Sequence, residues 1–166
     1  IFTPELAIVS EPNAAVAALN NCEPVKSPPW SQRTREARAA WEAGLEVRPQ
    51  PGDVDMGEIM AYLRNRLPKD TIITNGAGNF AGWGGRFLHY GDGMRLLGPQ
   101  AGAMGAGIPA AVAAKLAEPH RFVLCFAGDG DFQMTGLELG TALQYGVAPV
   151  ILVLNNGTYG TIRMHQ

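Results

Sequence analysis

Hydrophobic and polar positions change their rhythm several times along the chain, and each change predicts an element. Leu6 to Val9 is a short apolar run that predicts a strand. Pro12 opens an alanine-rich helix that Asn20-Asn21 should end. Pro24 to Pro29 is rich in chain breakers and reads as a linker; Ser31 to Glu46 has the composition of a solvated helix. Met56, Ile59, Met60, Leu63 and Leu67 recur at helical spacing, with Asp55 as N-cap and Pro68 as the stop. Thr71 to Thr74 predicts a β-branched strand, Asn75 to Gly93 a glycine-rich loop, and Ala103 to Ala117 a helix ended by Pro119. Arg121 to Phe126 and Pro149 to Leu154 are continuous apolar runs, the pattern of strands buried on both faces. Between them, Thr135 to Tyr145 predicts a helix with Leu137, Leu139, Ala142 and Leu143 available for burial. Strand, helix and strand at this spacing predict a parallel crossover. The expected fold class is therefore α/β, a parallel sheet flanked by helices.

Composition sharpens that picture unevenly. With 166 residues, 46% of them hydrophobic, the chain can bury a core without staples. A net charge of −2 gives no basic footprint for nucleic acid. Mean hydropathy is −0.01, and no apolar run approaches the roughly 18 residues of a membrane span. Cys22 and Cys125 lie too far apart in sequence for a metal cluster, and two cysteines do not make a disulfide framework. Reduced thiols suggest a cytoplasmic protein. Residues from Thr71 onward hold 18 of the 21 glycines but only ten charges, against 18 charges in the first 70 residues. Such a stretch is expected to pack its backbone against a layer, a ligand or a subunit. Ile1 is no initiator methionine, and Gln166 follows a polar loop where a new element should begin. The expectation is a piece of a longer polypeptide.

Candidate chemistry sits where the two apolar strands end, since ligands of open parallel sheets bind beyond the strands' carboxyl ends. The first strand runs into Gly128-Asp129-Gly130 and the second into Asn155-Asn156-Gly157, with 24 residues between the two motifs. A carboxylate and an amide oxygen, with no histidine or cysteine, suit Mg²⁺ or Ca²⁺. The glycines would let backbone N–H groups approach a diphosphate. Either tripeptide alone is an ordinary turn; it is the pair, each capping an apolar strand, that points to a site.

That pair resembles the signature of thiamine diphosphate-dependent enzymes. The text GDGDFQMTGLELGTALQYGVAPVILVLNNGTYGTIRMHQ, with TNGAGNFAGW and PQAGAMGAGIPAAVAAKLA before it, is similar to the large-subunit acetolactate synthase group and related 2-oxo acid decarboxylases. The resemblance implies three segments: residues 1–21 as the end of a middle domain, 22–52 as a linker with a helix, and 53–166 as an incomplete diphosphate-binding domain. It implies Mg²⁺ held by the side chains of Asp129 and Asn156 and the main-chain oxygen of Thr158. Ala77, Gly78, Asn79 and Phe80 would contact the diphosphate from one side, and Gly128, Gly130 and Asp131 from the other. Gly102 would accept from the pyrimidine amino group, Met104 would wedge the cofactor into its bent shape, and Tyr159 and Ile162 would lie on the substrate side.

By the same resemblance, the expected activity is decarboxylation of a 2-oxo acid such as pyruvate with transfer of the acyl-anion equivalent, a lyase or transferase reaction. Simple decarboxylation or another carboligation is the alternative. The activating glutamate would come from a domain absent here, so no catalytic residue is expected in this chain. Alone it would be a non-catalytic cofactor-binding module, and the full-length protein a homodimer or homotetramer. Asp131 stands where many members carry serine. A carboxylate beside a diphosphate should point away or pair with a cation.

Other features predict less. Gly76 to Ala81 fits a loose dinucleotide fingerprint, but Gly82-Trp83-Gly84-Gly85 should not continue as a helix, and no acidic residue ends a second strand about 20 residues on. His89, His120 and His165 lack metal spacing; His165 lies nearest the expected pocket.

Overall fold

The computed structural model describes residues 3–91 and 93–166. Ile1, Phe2 and Asp92 lie outside the described residues, and with them the first two residues of the expected middle-domain remnant. The chain divides into two units, Ile1–Gly44 and Leu45–Gln166.

In the first unit, helix α1 (Pro12–Asn20) starts at the proline, whose missing N–H costs nothing in a first turn. Helix α2 (Ser31–Gly44) is laced along its surface by Gln32 Nε2 to Glu36 (2.7 Å), the Arg38–Glu42 pair (2.6 Å) and Arg38 over the Trp41 ring (4.5 Å). Neither helix buries a residue. Leu6 to Val9 does not form the expected strand and stays exposed. A strand needs a partner for its N–H and C=O groups, and none runs beside it among the described residues of this unit.

The second unit is a four-stranded parallel sheet in the order β2-β1-β3-β4, formed by β1 (Ile72–Asn75), β2 (Arg95–Leu97), β3 (Val123–Gly128) and β4 (Val150–Leu154). Ile72 pairs with Val123 and Leu124 with Val150, so all the carboxyl ends lie along one edge. Alternation along the central strands divides the core in two. Ile72, Val123, Cys125 and Ala127 pack against Ile108, Ala111 and Ala114 of α5 (Gly107–Ala117). Ile73, Leu124 and Phe126 face the other way, toward Met60 of α3 (Met56–Arg66) and Phe87 of α4 (Ala81–Phe87). Asp55 caps α3 as expected, accepting from Gly57 N–H at 2.7 Å and Glu58 N–H at 3.3 Å. The Gln50 N–H bond, followed by these two, holds its carboxyl below the usual range.

Several expectations need correction. The glycine-rich stretch is not all loop, because Gly82-Trp83-Gly84-Gly85 does continue as helix α4. Trp83 stacks on Phe87 one turn later (5.5 Å between ring centroids), and Phe87 is buried in the core. Tertiary burial here outweighs the poor helix propensity of glycine. Residues 103–106 form a turn instead of the start of α5, since Gly105 sits at φ +80°, outside the helical region. Gly128-Asp129-Gly130 is no loop: β3 ends at Gly128 and α6 (Asp129–Thr135) begins at once. The helix expected over Thr135 to Tyr145 starts later, as α7 (Glu138–Gln144). It buries Ala142 but leaves Leu137 and Leu143 exposed and Leu139 just so. β4 is an edge strand, with Val150 and Val153 exposed, while β3 is buried along its whole length. The short edge strand β2 was not anticipated; its residues are exposed and carry no apolar alternation.

Candidate functional site

Because the strands are parallel, the segments leaving β1, β3 and β4 meet on one side of the sheet. There they enclose a cavity of about 560 Å³. Ala77 to Phe80 follow β1, Gly128 to Asp131 span the β3–α6 junction, and Asn155 to Ile162 lead from β4 into α8 (Gly160–Met164). Every residue singled out for cofactor or metal from the sequence lies in the wall of this cavity except Gly102. Gly102 ends a 3₁₀ turn (Gln100–Gly102), two residues before the wall residue Met104. His165 caps the end of α8, exposed and outside the wall.

Local hydrogen bonds shape the loop after β4. Asn155 Oδ1 accepts from Gly157 N–H at 3.0 Å, and Asn156 Oδ1 accepts from Thr158 N–H at 3.1 Å. The Thr158 carbonyl accepts from Gly160 N–H at 2.9 Å. Each of these oxygens has a second lone pair, so Asn156 Oδ1 and Thr158 O each retain one for a cation. Among the described residues, no group of three His, Cys, Asp or Glu side chains could hold a metal. A cation in this cavity would draw instead on one carboxylate, one amide and a main-chain oxygen, a hard donor set that suits Mg²⁺.

Asp131 is the buried charge of the site, at 1% exposure. Its Oδ1 accepts from Gly105 N–H at 2.6 Å, while Oδ2 has no hydrogen-bond partner. Burial pushes the carboxyl above its ordinary value; Gly105 N–H and, more weakly, Ala77 N–H oppose the rise. A Cβ added to Gly76 would collide with this carboxylate, so glycine is required by close approach at that position. Held in this way, Asp131 engages backbone N–H groups.

Some parts of the wall had no sequence signal. Thr161 Oγ1 accepts from Asn79 N–H at 3.1 Å and ties the β1 loop to the first turn of α8, 82 residues on. Val54, Met56, Ile59 and Trp83 add an apolar side. Met56 and Ile59 are legible in the sequence only as a helix face, Val54 precedes that helix, and Trp83 reads as core, interface or pocket wall; their meeting with the strand ends is a tertiary event. The apparent dinucleotide fingerprint does form strand, loop and helix, with Phe80 at the helix entry packed into the core.

Residues 76–166 match the family described as thiamine pyrophosphate enzyme, C-terminal TPP binding domain. An acetolactate synthase from Arthrospira platensis is 39% identical, covering 72% of this chain and 19% of that protein. The acetolactate synthase large subunit of Lactococcus lactis is 31% identical, covering 100% of this chain and 29% of its own length. Among solved structures, the Rhodococcus jostii RHA1 thiamine diphosphate-dependent 4-hydroxybenzoylformate decarboxylase superposes with a TM-score of 0.66 at 32% identity, over 72% of this chain and 23% of that one. The chain thus spans less than a third of the length of each of these relatives. It belongs to the thiamine diphosphate enzyme family, as an acetolactate synthase large-subunit-like C-terminal cofactor-binding domain.

Proposed function

We propose that this chain supplies the diphosphate- and Mg²⁺-holding side of an active site that decarboxylates a 2-oxo acid such as pyruvate and passes the acyl-anion equivalent to an acceptor. The observation that carries the reading is that Asp129, Asn156 and Thr158, from two separate strand ends, wall one cavity together with the Ala77–Phe80 loop. Asp129 Oδ, Asn156 Oδ1 and Thr158 O would bind the Mg²⁺. Ala77 to Phe80, with Gly128, Gly130 and Asp131, would line the diphosphate. Gly102 O would accept from the pyrimidine amino group, Met104 would hold the rings bent, and Tyr159 and Ile162 would face the substrate.

When bound, thiamine diphosphate supplies a nucleophilic carbon and an electron sink. The work left to this chain is to bind, orient and keep water away. Phe80, Trp83 and Met104 give the cavity apolar wall for that purpose. The activating glutamate would come from another domain, across a homodimer or homotetramer interface of the longer polypeptide, so this chain alone would bind cofactor without turnover. No helix among the described residues is long and apolar enough to cross a membrane, and the cytoplasm is the compartment we propose.

A second reading, simple decarboxylation, is favoured by the likeness to the Rhodococcus 4-hydroxybenzoylformate decarboxylase. Incubating the full-length protein with pyruvate, Mg²⁺ and thiamine diphosphate separates the two. Acetolactate supports carboligation and acetaldehyde alone supports decarboxylation; no consumption of pyruvate, nor of other 2-oxo acids supplied in its place, rejects both.

A further inference from the structure

We infer that Asp131 and Thr135, one turn apart on α6, are positioning residues that clamp Gly105 and thereby set Met104 in the cavity wall. Asp131 Oδ1 takes the Gly105 N–H at 2.6 Å, and Thr135 Oγ1 donates to the Gly105 carbonyl at 2.7 Å. Residues four apart lie on the same face of a helix. Both polar groups of Gly105 are therefore fixed by one rigid element, and the adjoining peptides cannot rotate without breaking a bond. α6 also presses directly on this turn: a Cβ at Gly105 would stand 3.0 Å from Thr135 Cγ2 and 3.1 Å from Met134 Cβ. Met104 is the next residue in the chain and lines the cavity.

The clamp has a second jaw. The Asp131 carboxylate fills the space where Gly76 has no side chain, so one buried group touches both the start of the β1 loop and the Gly105 turn. Burying a carboxylate with one oxygen unpartnered is costly. An apolar residue would pack there at lower cost but could not take the Gly105 N–H. Asp131 thus braces the Gly76 start of the β1 loop against the Gly105 turn, beside the close approach of Gly107 to Gly76 and the Thr74 Oγ1 bond to the Gly107 carbonyl at 2.9 Å. Thr135 lies outside the cavity wall.

This inference rests on the reading of the cavity as a thiamine diphosphate site in which Met104 meets the ring portion. The test uses the full-length protein and two ligands, each with Mg²⁺: thiamine diphosphate, and inorganic pyrophosphate, which has no rings. Calorimetry of Thr135→Val should show thiamine diphosphate affinity falling about fivefold, the worth of one hydrogen bond. Pyrophosphate affinity should change less than about twofold. Thr135→Ser should restore the first affinity, and Thr135→Ala should reproduce the selective loss if the valine variant does not fold. Equal loss for both ligands, or loss for neither, overturns the clamp. Wild-type protein that binds neither ligand overturns the reading of the cavity itself, and the clamp with it.

Discussion

Both units contain helices, but they differ in what those helices cover. In Ile1–Gly44, α1 and α2 bury nothing, and on α2 Gln32 bonds to Glu36 and Arg38 pairs with Glu42, each one turn along the same helix. In Leu45–Gln166, α5 alone buries Gly107, Ile108, Ala111, Val112 and Ala114. The difference teaches that helical sequence is sufficient for local geometry, whereas a site requires a layer to press against. The cavity belongs entirely to the second unit, where three parallel strands end side by side.

The sharpest way to break that contrast is at the cavity. Asp129→Ala in the full-length protein should abolish Mg²⁺-dependent thiamine diphosphate binding, while Glu42→Ala on α2 should leave it unchanged. Calorimetry that finds Asp129→Ala binding normally removes the metal assignment. Next in size is the core. Phe126 is fully buried, and Phe126→Ala should destabilise the second unit by about 3–5 kcal/mol in urea unfolding. Gly76→Ala should cost roughly 1–3 kcal/mol, because its Cβ must displace the Asp131 carboxylate from Gly105. A neutral result would mean that Asp131 swings aside freely.

The two cysteines sharpen the comparison through chemistry. Cys22 is exposed and Cys125 is buried in the sheet. Burial raises the Cys125 thiol to about 11, with Thr74 opposing and Asp131 adding to the rise. At pH 8 a thiol reagent should titrate Cys22 alone in the native protein and both cysteines in denaturant. The folded state keeps its proton on Cys125 where the unfolded state loses it. Stability from this group is therefore full below its ordinary value of 9.0 and falls as pH rises through about 11. Equal reactivity of both thiols under native conditions would contradict the burial. Arg38→Ala should have the smallest effect, within about 0.5 kcal/mol, as expected of an exposed pair between neighbouring turns. A larger loss would mean that α2 is covered by a partner.

Legibility in the sequence followed the range of the forces involved. Pro12, Asp55 and Pro68 mark helix ends because proline geometry and side-chain capping act within a few residues. Thr71 to Thr74 and Arg121 to Phe126 locate β1 and β3 to within two residues, since apolar runs of that length have few other uses. Leu6 to Val9 carries the same kind of signal but finds no partner strand among the described residues. Trp83 and Phe87 build a helix in a stretch that glycine content marks as loop, because Phe87 is buried in the core and Trp83 packs half-buried against it. The exposure of Leu137 and Leu143 likewise depends on what lies opposite, which composition does not encode.

By itself, the sequence determined the α/β class, the two motifs that follow β3 and β4, and their resemblance to a thiamine diphosphate site. All of these are written in contiguous residues. Only the tertiary structure decided that Asn79 bonds to Thr161, and that α6 begins directly at Asp129. It also decided that Asp131 is spent on Gly105 with Gly76 left bare to admit it. Those pairings join residues 26 to 82 positions apart. The physical reason is that hydrogen bonds and steric fit act over a few ångströms of space, and only the folded sheet brings such residues within that distance.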